Sequence, residues 1–152
     1  VEVDSLLSKY NFWNDLSEQM IKKEENIRTT LNEKGKKLEK EAQEFQRKYE
    51  NNGFVSPERA QQEYQRIQKQ EQDLVALRDK LLNDLAAENQ KINLELRDSI
   101  NSFLKVFNQD KGYDLIISNT AFDNLLYGNP AYNITNEVAE GLNARYNPSI
   151  KK

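Results

Sequence analysis

Two long helix-forming runs, joined by one short helix-breaking segment, constrain this chain more than any other feature. The joining segment, residues 51–57, reads NNGFVSP. Asn and Gly tolerate the left-handed conformation that ends a helix, Ser is a good N-cap, and Pro fits the first helical turn. We therefore predict that one helix ends here, that a second begins, and that residues 51–57 form a tip.

Both runs carry apolar residues at spacings of three, four or seven, which place one narrow stripe on one side of each helix. Neither run has an internal Pro, and Gly35 is the only Gly inside them. Two striped helices joined by a short tip are expected to form an antiparallel hairpin, with arms on the order of 60 Å long. The stripe residues are Leu16, Met20, Ile27, Leu31, Leu38, Ala42, Phe45 and Tyr49 before the tip, and Ala60, Tyr64, Ile67, Leu74, Leu81, Leu85, Ile92, Leu96, Ile100, Phe103 and Phe107 after it.

The pairing of the two arms is not expected to be apolar throughout. Glu71, Arg78 and Glu88 fall on or near the seam of the second run, and polar seam residues loosen a coiled coil while fixing its register. The charged share of 31% and the mean hydropathy of -0.92 are extreme for one compact core, although the apolar share is still 37%. An elongated, flexible helical arm explains both observations.

Charge and composition exclude several functions. The net charge is -3 and the two signs alternate along both runs, so we predict no nucleic-acid partner and no electrostatic attachment to an anionic membrane. The chain has no Cys and no His, which removes thiol and His-dependent nucleophiles and any ordinary zinc site. Acidic pairs such as Glu24 and Glu25 would need an enclosing pocket to act as acid or base, so we expect no enzyme, metal or cofactor.

No apolar run approaches the roughly 18 residues of a membrane-spanning helix, and we expect no stable membrane insertion. The chain begins at Val1 rather than Met, and we expect that a signal peptide has been removed.

We expect the N-terminal residues, the start of the first run and the end of the second run to lie together. Residues 1–3 alternate like the end of a strand, and Asp4 or Ser5 can cap a short helix that runs towards Tyr10. The hairpin brings the start of the first run level with the end of the second. We therefore predict that Phe12, Trp13, Phe103 and Phe107 form a packed aromatic base.

The composition changes after Gly112, the predicted C-cap of the second long helix. Residues 113–119, YDLIISN, predict a strand, and residues 124–129, NLLYGN, predict another that ends before Pro130. A last amphipathic helix is expected to begin with Thr135 as its cap and to bury Val138 and Leu142.

So few short strands cannot form a stable sheet alone, because their edges and apolar face would stay open. Strands from several copies could close into one small β-rich body from which the hairpins project. The sequence therefore predicts a mainly α protein with a small β part. Residues 1–10 and 112–152 would form the association body, and residues 11–111 the hairpin, or tentacle.

The segments GYDLIIS, NLLYGNPAYNIT and NEVAEGLNARY, which follow this hairpin, resemble the Skp/OmpH family of periplasmic outer-membrane-protein chaperones. The resemblance implies a homotrimer, with a β-barrel body made by three subunits and three coiled-coil tentacles around a cavity. It also implies an ATP-independent holdase that binds unfolded outer-membrane proteins in the cavity and prevents their aggregation in the periplasm.

Carried over by position, the resemblance assigns residues to the association body, whereas the candidate client-binding residues are those near the tip that the paired arms have least to bury. The association body would use Val1, Val3, Leu115, Ile116, Ile117, Leu125, Leu126 and Tyr127, with Val138 and Leu142 packing against it. Client proteins would contact Tyr49, Phe54, Val55 and Tyr64 near the tip, unless these residues only hold the hinge together.

The charge of this chain bears on one partner, lipopolysaccharide. The best-known family members are strongly basic, a property linked to lipopolysaccharide, whereas this chain is mildly acidic, so no lipopolysaccharide site is predicted.

A structural or tethering coiled coil without chaperone activity is the alternative function. Polar seam residues count against it, because a dedicated spacer would favour a continuous apolar seam.

Overall fold

The computed structural model of the protein describes residues 1–120 and 125–146. In these residues the chain forms the helices α1 (Val3–Lys9), α2 (Asn11–Glu50), α3 (Pro57–Lys111) and α4 (Thr135–Arg145), with a 3-10 turn at Pro130–Tyr132. The prediction of two long helices joined by a short tip is confirmed.

The chain divides into two compact units. We call Val1–Met20 together with Asn89–Lys152 the terminal unit, and Ile21–Glu88 the tip unit. The ends of both long helices thus group with the terminal segments. The predicted boundaries of the association body, at residues 10 and 112, stay a prediction.

The tip of the hairpin ends α2 through a Schellman motif. Gly53 N donates to Lys48 O over 2.8 Å, and Asn52 N donates to Tyr49 O over 3.2 Å, which satisfies two carbonyls of the last helical turn. Asn52 takes the left-handed conformation, with φ +52°. On the other side Ser56 Oγ accepts from Arg59 N over 3.2 Å, so Ser56 caps α3 as predicted.

The seam of the tip unit is mostly half-buried, with Ala60 and Ile67 buried, and it departs from the predicted residues at Glu71 and Arg78. Gln70 and Leu77 are half-buried, whereas Glu71 and Arg78 are exposed. The residue before each of these two predicted polar seam positions therefore faces inward, whereas Leu74 and Leu81 are half-buried as predicted. Glu88 is the predicted polar residue that is half-buried, and its carboxylate binds the Lys23 ammonium from α2.

The terminal unit contains the larger core. Its buried side chains come from α1 and Tyr10, from α3 and from α4; they are Leu6, Tyr10, Leu96, Phe103, Val138, Ala139 and Leu142. Phe12, Trp13 and Phe107 pack around this core, and the rings of Phe103 and Phe107 are 5.5 Å apart. The predicted aromatic base is therefore confirmed.

The strand predictions are wrong for the single chain. Residues 113–119 and 125–129 form no strand, Asn124 lies outside the described residues, and Val3 begins α1. The β pairing in the described part of the chain is one parallel bridge between Glu2 and Asn119, in which Asn119 N donates to Val1 O over 2.7 Å. A strand needs a neighbour with which to exchange backbone hydrogen bonds, and one copy supplies only this bridge.

The two short helices begin without the predicted side-chain caps. Glu2 rather than Asp4 or Ser5 precedes α1, and Ile134 rather than Thr135 precedes α4, in neither case with a side-chain cap bond. The Thr135 hydroxyl is used elsewhere: it is buried and accepts a 2.8 Å hydrogen bond from Glu2 N. This bond ties the first residues of the chain to the start of α4.

The segment between α3 and α4 is anchored at both of its ends. Gly112 ends α3 with φ +68°, as predicted, and the Asn108 side-chain amide exchanges two 2.8 Å hydrogen bonds with the backbone of Tyr113. Asn133 Oδ1 accepts from Thr135 N over 3.1 Å at the other end. Among the described residues, no helix combines the length and the low polarity that crossing a bilayer would require.

Candidate functional site

The terminal unit exposes apolar side chains along the segment between α3 and α4. Leu115 is 78% exposed, Tyr127 80% and Leu126 98%, and Ile117, Leu125 and Tyr132 are exposed as well. We call these six residues, together with half-buried Ile116, the apolar segment surface. Large apolar side chains that are exposed next to one another mark an interaction surface.

The apolar segment surface borders an open groove of about 650 Å³. Val1, Tyr113 and Ile134 line it together with residues of the surface itself. The amino group of Val1 donates to Ile117 O over 2.9 Å, which fixes the middle of the segment against the first residues of the chain. The backbone that carries these exposed side chains is thus anchored to the N-terminus of the chain.

The predicted association residues occupy two different environments. Leu115, Ile117, Leu125, Leu126 and Tyr127 are exposed, and Val1, Val3 and Ile116 are half-buried. Val138 and Leu142 are fully buried against Leu6 and Phe103 of their own chain. These two residues can support the apolar segment surface but cannot themselves touch a second copy without unfolding the core.

Aromatic rings cluster at the tip around Phe45. Its ring centroid lies 5.4 Å from that of Phe54 and 6.0 Å from those of Tyr49 and Tyr64. Tyr49 and Tyr64 remain exposed, and Val55 is 97% exposed. The predicted client-binding residues therefore lie together, and they present apolar surface to water.

A groove of about 500 Å³, which we call the tip groove, opens beside this cluster. Phe45, Phe54 and Val55 form its apolar floor, whereas Tyr49 and Tyr64 contact Phe45 without lining the groove. Sequence analysis assigned Phe45 only to the seam. Its position one helical turn before Tyr49, close to the tip, was the signal that could have identified it.

The charged rim of the tip groove is partly neutralised by Arg66. Its Nη1 donates to Glu41 Oε2 of the facing arm over 2.9 Å, and its Nε donates to Glu63 Oε1 over 3.0 Å. The hydrogen bond from Arg66 lowers the pKa of Glu63, and the bonds to both carboxylates raise the pKa of Arg66. Two of the rim carboxylates are therefore occupied by an internal cation.

Two further cations line the tip groove, and sequence analysis did not single them out. Lys48 Nζ lies 4.9 Å from the centroid of the Phe54 ring, and the Arg59 guanidinium donates to Gln62 Oε1 over 3.3 Å. Within residues 1–120 and 125–146, neither cation has a carboxylate at salt-bridge distance. Both cations contribute to the lowered pKa of Glu63, but without a direct ion pair they can also attract an anionic group of a partner.

The whole of both surfaces lies inside one family match. The family model described as Outer membrane protein (OmpH-like) matches residues 1–142. A comparison with curated proteins found no significant match. Because the family model spans nearly the full chain, including the hairpin, the tip and the apolar segment, this protein belongs to the OmpH-like family.

Proposed function

We propose that this protein is an ATP-independent holdase that binds unfolded outer-membrane proteins in the periplasm and prevents their aggregation. Membership in the OmpH-like family supports a chaperone role towards outer-membrane proteins and a periplasmic location. The proposal needs no catalytic group and no cofactor, because a holdase acts by reversible binding alone.

The observation that carries this proposal is that exposed apolar side chains are grouped in two places among the described residues. The apolar segment surface lies in the terminal unit, and the Phe45 cluster with Val55 lies in the tip unit. We assign the first place to association with other copies and the second to contact with clients. A protein whose exposed remainder is densely charged stays in solution while these surfaces await partners.

Association would complete the backbone pairing that one copy leaves undone. The Glu2–Asn119 bridge starts a pairing that the segments around residues 1–3, 113–119 and 125–127 of neighbouring copies could extend. Closing such segments into a barrel removes exposed edges, and a closed ring of identical copies is the usual symmetric solution. We propose a homotrimer with a β-barrel body, in which clients occupy a cavity between the arms.

The arms suit weak, repeated contacts better than a fixed spacing role. Polar pairs interrupt the half-buried seam, since Lys23 binds Glu88 and Arg66 binds Glu41 across the hairpin. A tethering coiled coil would gain from an uninterrupted apolar seam. Several weak sites on connected arms bind an unfolded chain more tightly together than any one site does.

Dilution of a urea-unfolded outer-membrane β-barrel protein into buffer, followed by light scattering, tests the proposal. We expect suppression of turbidity at a near-stoichiometric amount of trimer. A Leu115→Asp/Leu126→Asp variant, which should not associate, serves as the comparison and is expected to suppress less. Turbidity that rises equally with and without the wild-type protein would reject the holdase, and an intact trimer in that case would favour the tethering alternative.

A further inference from the structure

The tip groove combines aromatic side chains with charges of both signs. Phe45 and Phe54 meet with their rings tilted by 50°, and Val55 extends the floor into water. Its volume of about 500 Å³ is within the range of roughly 300–1,000 Å³ that is usual for sites binding small groups. The groove is therefore large enough for a side chain of a partner together with its backbone.

The carboxylates and the cations on the rim of the tip groove differ in whether they are already paired. Glu41 and Glu63 are both bound by Arg66, and Glu44 has Lys40 at 4.0 Å. Lys48 and Arg59 have no such carboxylate in the part of the chain that the structure describes. An anionic group on a partner would meet available cations here, whereas a cationic group would meet carboxylates that are already paired.

We infer that the tip groove binds an extended client segment that presents an aromatic side chain next to a carboxylate. The aromatic ring would pack on Phe45 and Phe54, and the carboxylate would pair with Lys48 and Arg59. Tilted aromatic pairs contribute beyond the area that they bury, and cations near a ring add to this attraction. This inference rests on the proposed holdase function and specifies which client segments the tip selects.

Transmembrane β-barrels supply such segments. Their outward faces carry aromatic girdles at both membrane interfaces, next to turns and loops that are polar. In the unfolded chain these aromatic residues are spaced along the sequence and accessible. The tip groove would thus recognise the ends of the future membrane strands rather than their centres, which lie outside the aromatic girdles.

Fluorescence anisotropy with the full-length protein and three labelled peptides of equal length tests the inference. The first peptide alternates Tyr with Asp, the second replaces every Tyr by Leu, and the third replaces every Asp by Lys. We expect the Tyr–Asp peptide to bind most tightly. A Lys48→Glu/Arg59→Glu variant should bind it about tenfold more weakly and should prefer the Tyr–Lys peptide, because two exposed charge contacts are reversed.

Three further variants make the test specific. Arg28→Glu, an exposed cation of α2 outside the groove, is the matched control and should leave all three affinities within about twofold of wild type. Arg59→Glu alone adds an acidic residue to the first turn of α3, which the helix dipole favours, so it tests the charge without weakening the fold. Phe54→Leu should reduce the preference for Tyr over Leu.

Different results would overturn the binding preference of the tip groove and the proposed holdase function. Equal binding of the three peptides, or equal effects of Lys48→Glu/Arg59→Glu and Arg28→Glu, would overturn the inference while turbidity suppression still supported the holdase. Failure of the wild-type protein to suppress turbidity would instead overturn the proposed function. Far-UV circular dichroism of every variant confirms that the helices are intact.

Discussion

Gly141 of α4 lies directly against the ring of Phe103 of α3. A Cβ atom at Gly141 would come within 2.3 Å of Phe103 Cζ and within 2.8 Å of Cε2. This close approach brings Leu142 and Val138, the neighbouring inward residues of α4, into the same core as Phe103. The packing of α4 on the terminal unit therefore depends on the absence of one side chain.

Gly141→Ala is expected to destabilise the terminal unit. The added methyl group must displace a buried aromatic ring, and overpacking of this kind costs about 1–3 kcal/mol, which exceeds the gain of about 1 kcal/mol in helix propensity. Urea unfolding followed by far-UV circular dichroism measures the change. An unchanged or higher midpoint would mean that Phe103 can rotate away at little cost.

Gly35→Ala is expected to have the opposite effect, which makes it the matched control. A Cβ atom at Gly35 would meet nothing within 4 Å, although Gly35 lies on the half-buried side of α2. The substitution should therefore stabilise the helix by about 0.5–1 kcal/mol, since it reduces the freedom of the unfolded chain. Thermal unfolding checks this, and a lower midpoint than wild type would contradict it.

Tyr146→Phe should alter the alkaline limit of stability. Burial, together with a 2.7 Å hydrogen bond to Asp15 Oδ2, raises the pKa of Tyr146 to about 12. The unfolded chain loses this phenolic proton near pH 10, whereas the folded chain retains it, so stability falls as the pH rises from about 10 to about 12.

The measurement is the free energy of unfolding of both proteins between pH 8 and pH 12. Below pH 10 the variant should be less stable by about 1 kcal/mol, because it lacks the hydrogen bond. The difference should then shrink as the pH rises. A difference that is constant with pH would show that Tyr146 does not ionise with a raised pKa.

Ile116→Asp/Leu126→Asp is expected to dissociate the proposed trimer. Leu126 is 98% exposed in the single chain, so a charge there removes no contact within the fold, but it would be costly inside an interface between copies. Sedimentation velocity should show the mass of one chain for the variant and of three chains for wild type. Leu94→Asp, which changes a leucine of α3 that is 56% exposed, should remain trimeric.

Local chemistry explains why the sequence predicted the tip and the two long helices. Ser56, Pro57 and Gly112 act within a few residues of their own positions, so their preferences decide the helix ends. Thr135 failed as a predicted cap because its hydroxyl bonds to Glu2, which is 133 positions away. The strands predicted at residues 113–119 and 124–129 do not form in the described part of the chain, because apolar β-branched residues favour a strand only where a neighbouring backbone is available to pair with.

The tip groove was predictable only in part, for the same reason. Phe54 and Val55 were identified because a short tip leaves few neighbours to bury them. Lys48 and Arg59 were not, since their availability depends on which carboxylates Arg66 binds, Glu63 on its own helix and Glu41 across the hairpin. Charge that alternates along the sequence says little about which charges remain unpaired after folding.

Trp13 packs beside the core of the terminal unit and is the only tryptophan of the chain. The fluorescence emission spectrum of Trp13 should therefore change when the terminal unit unfolds and should stay constant when only the tip unit unfolds. Far-UV ellipticity, to which α2 and α3 contribute along their whole lengths, reports on both. If the arms fray before the core does, the two optical signals will not coincide, and a single midpoint will not describe this molecule.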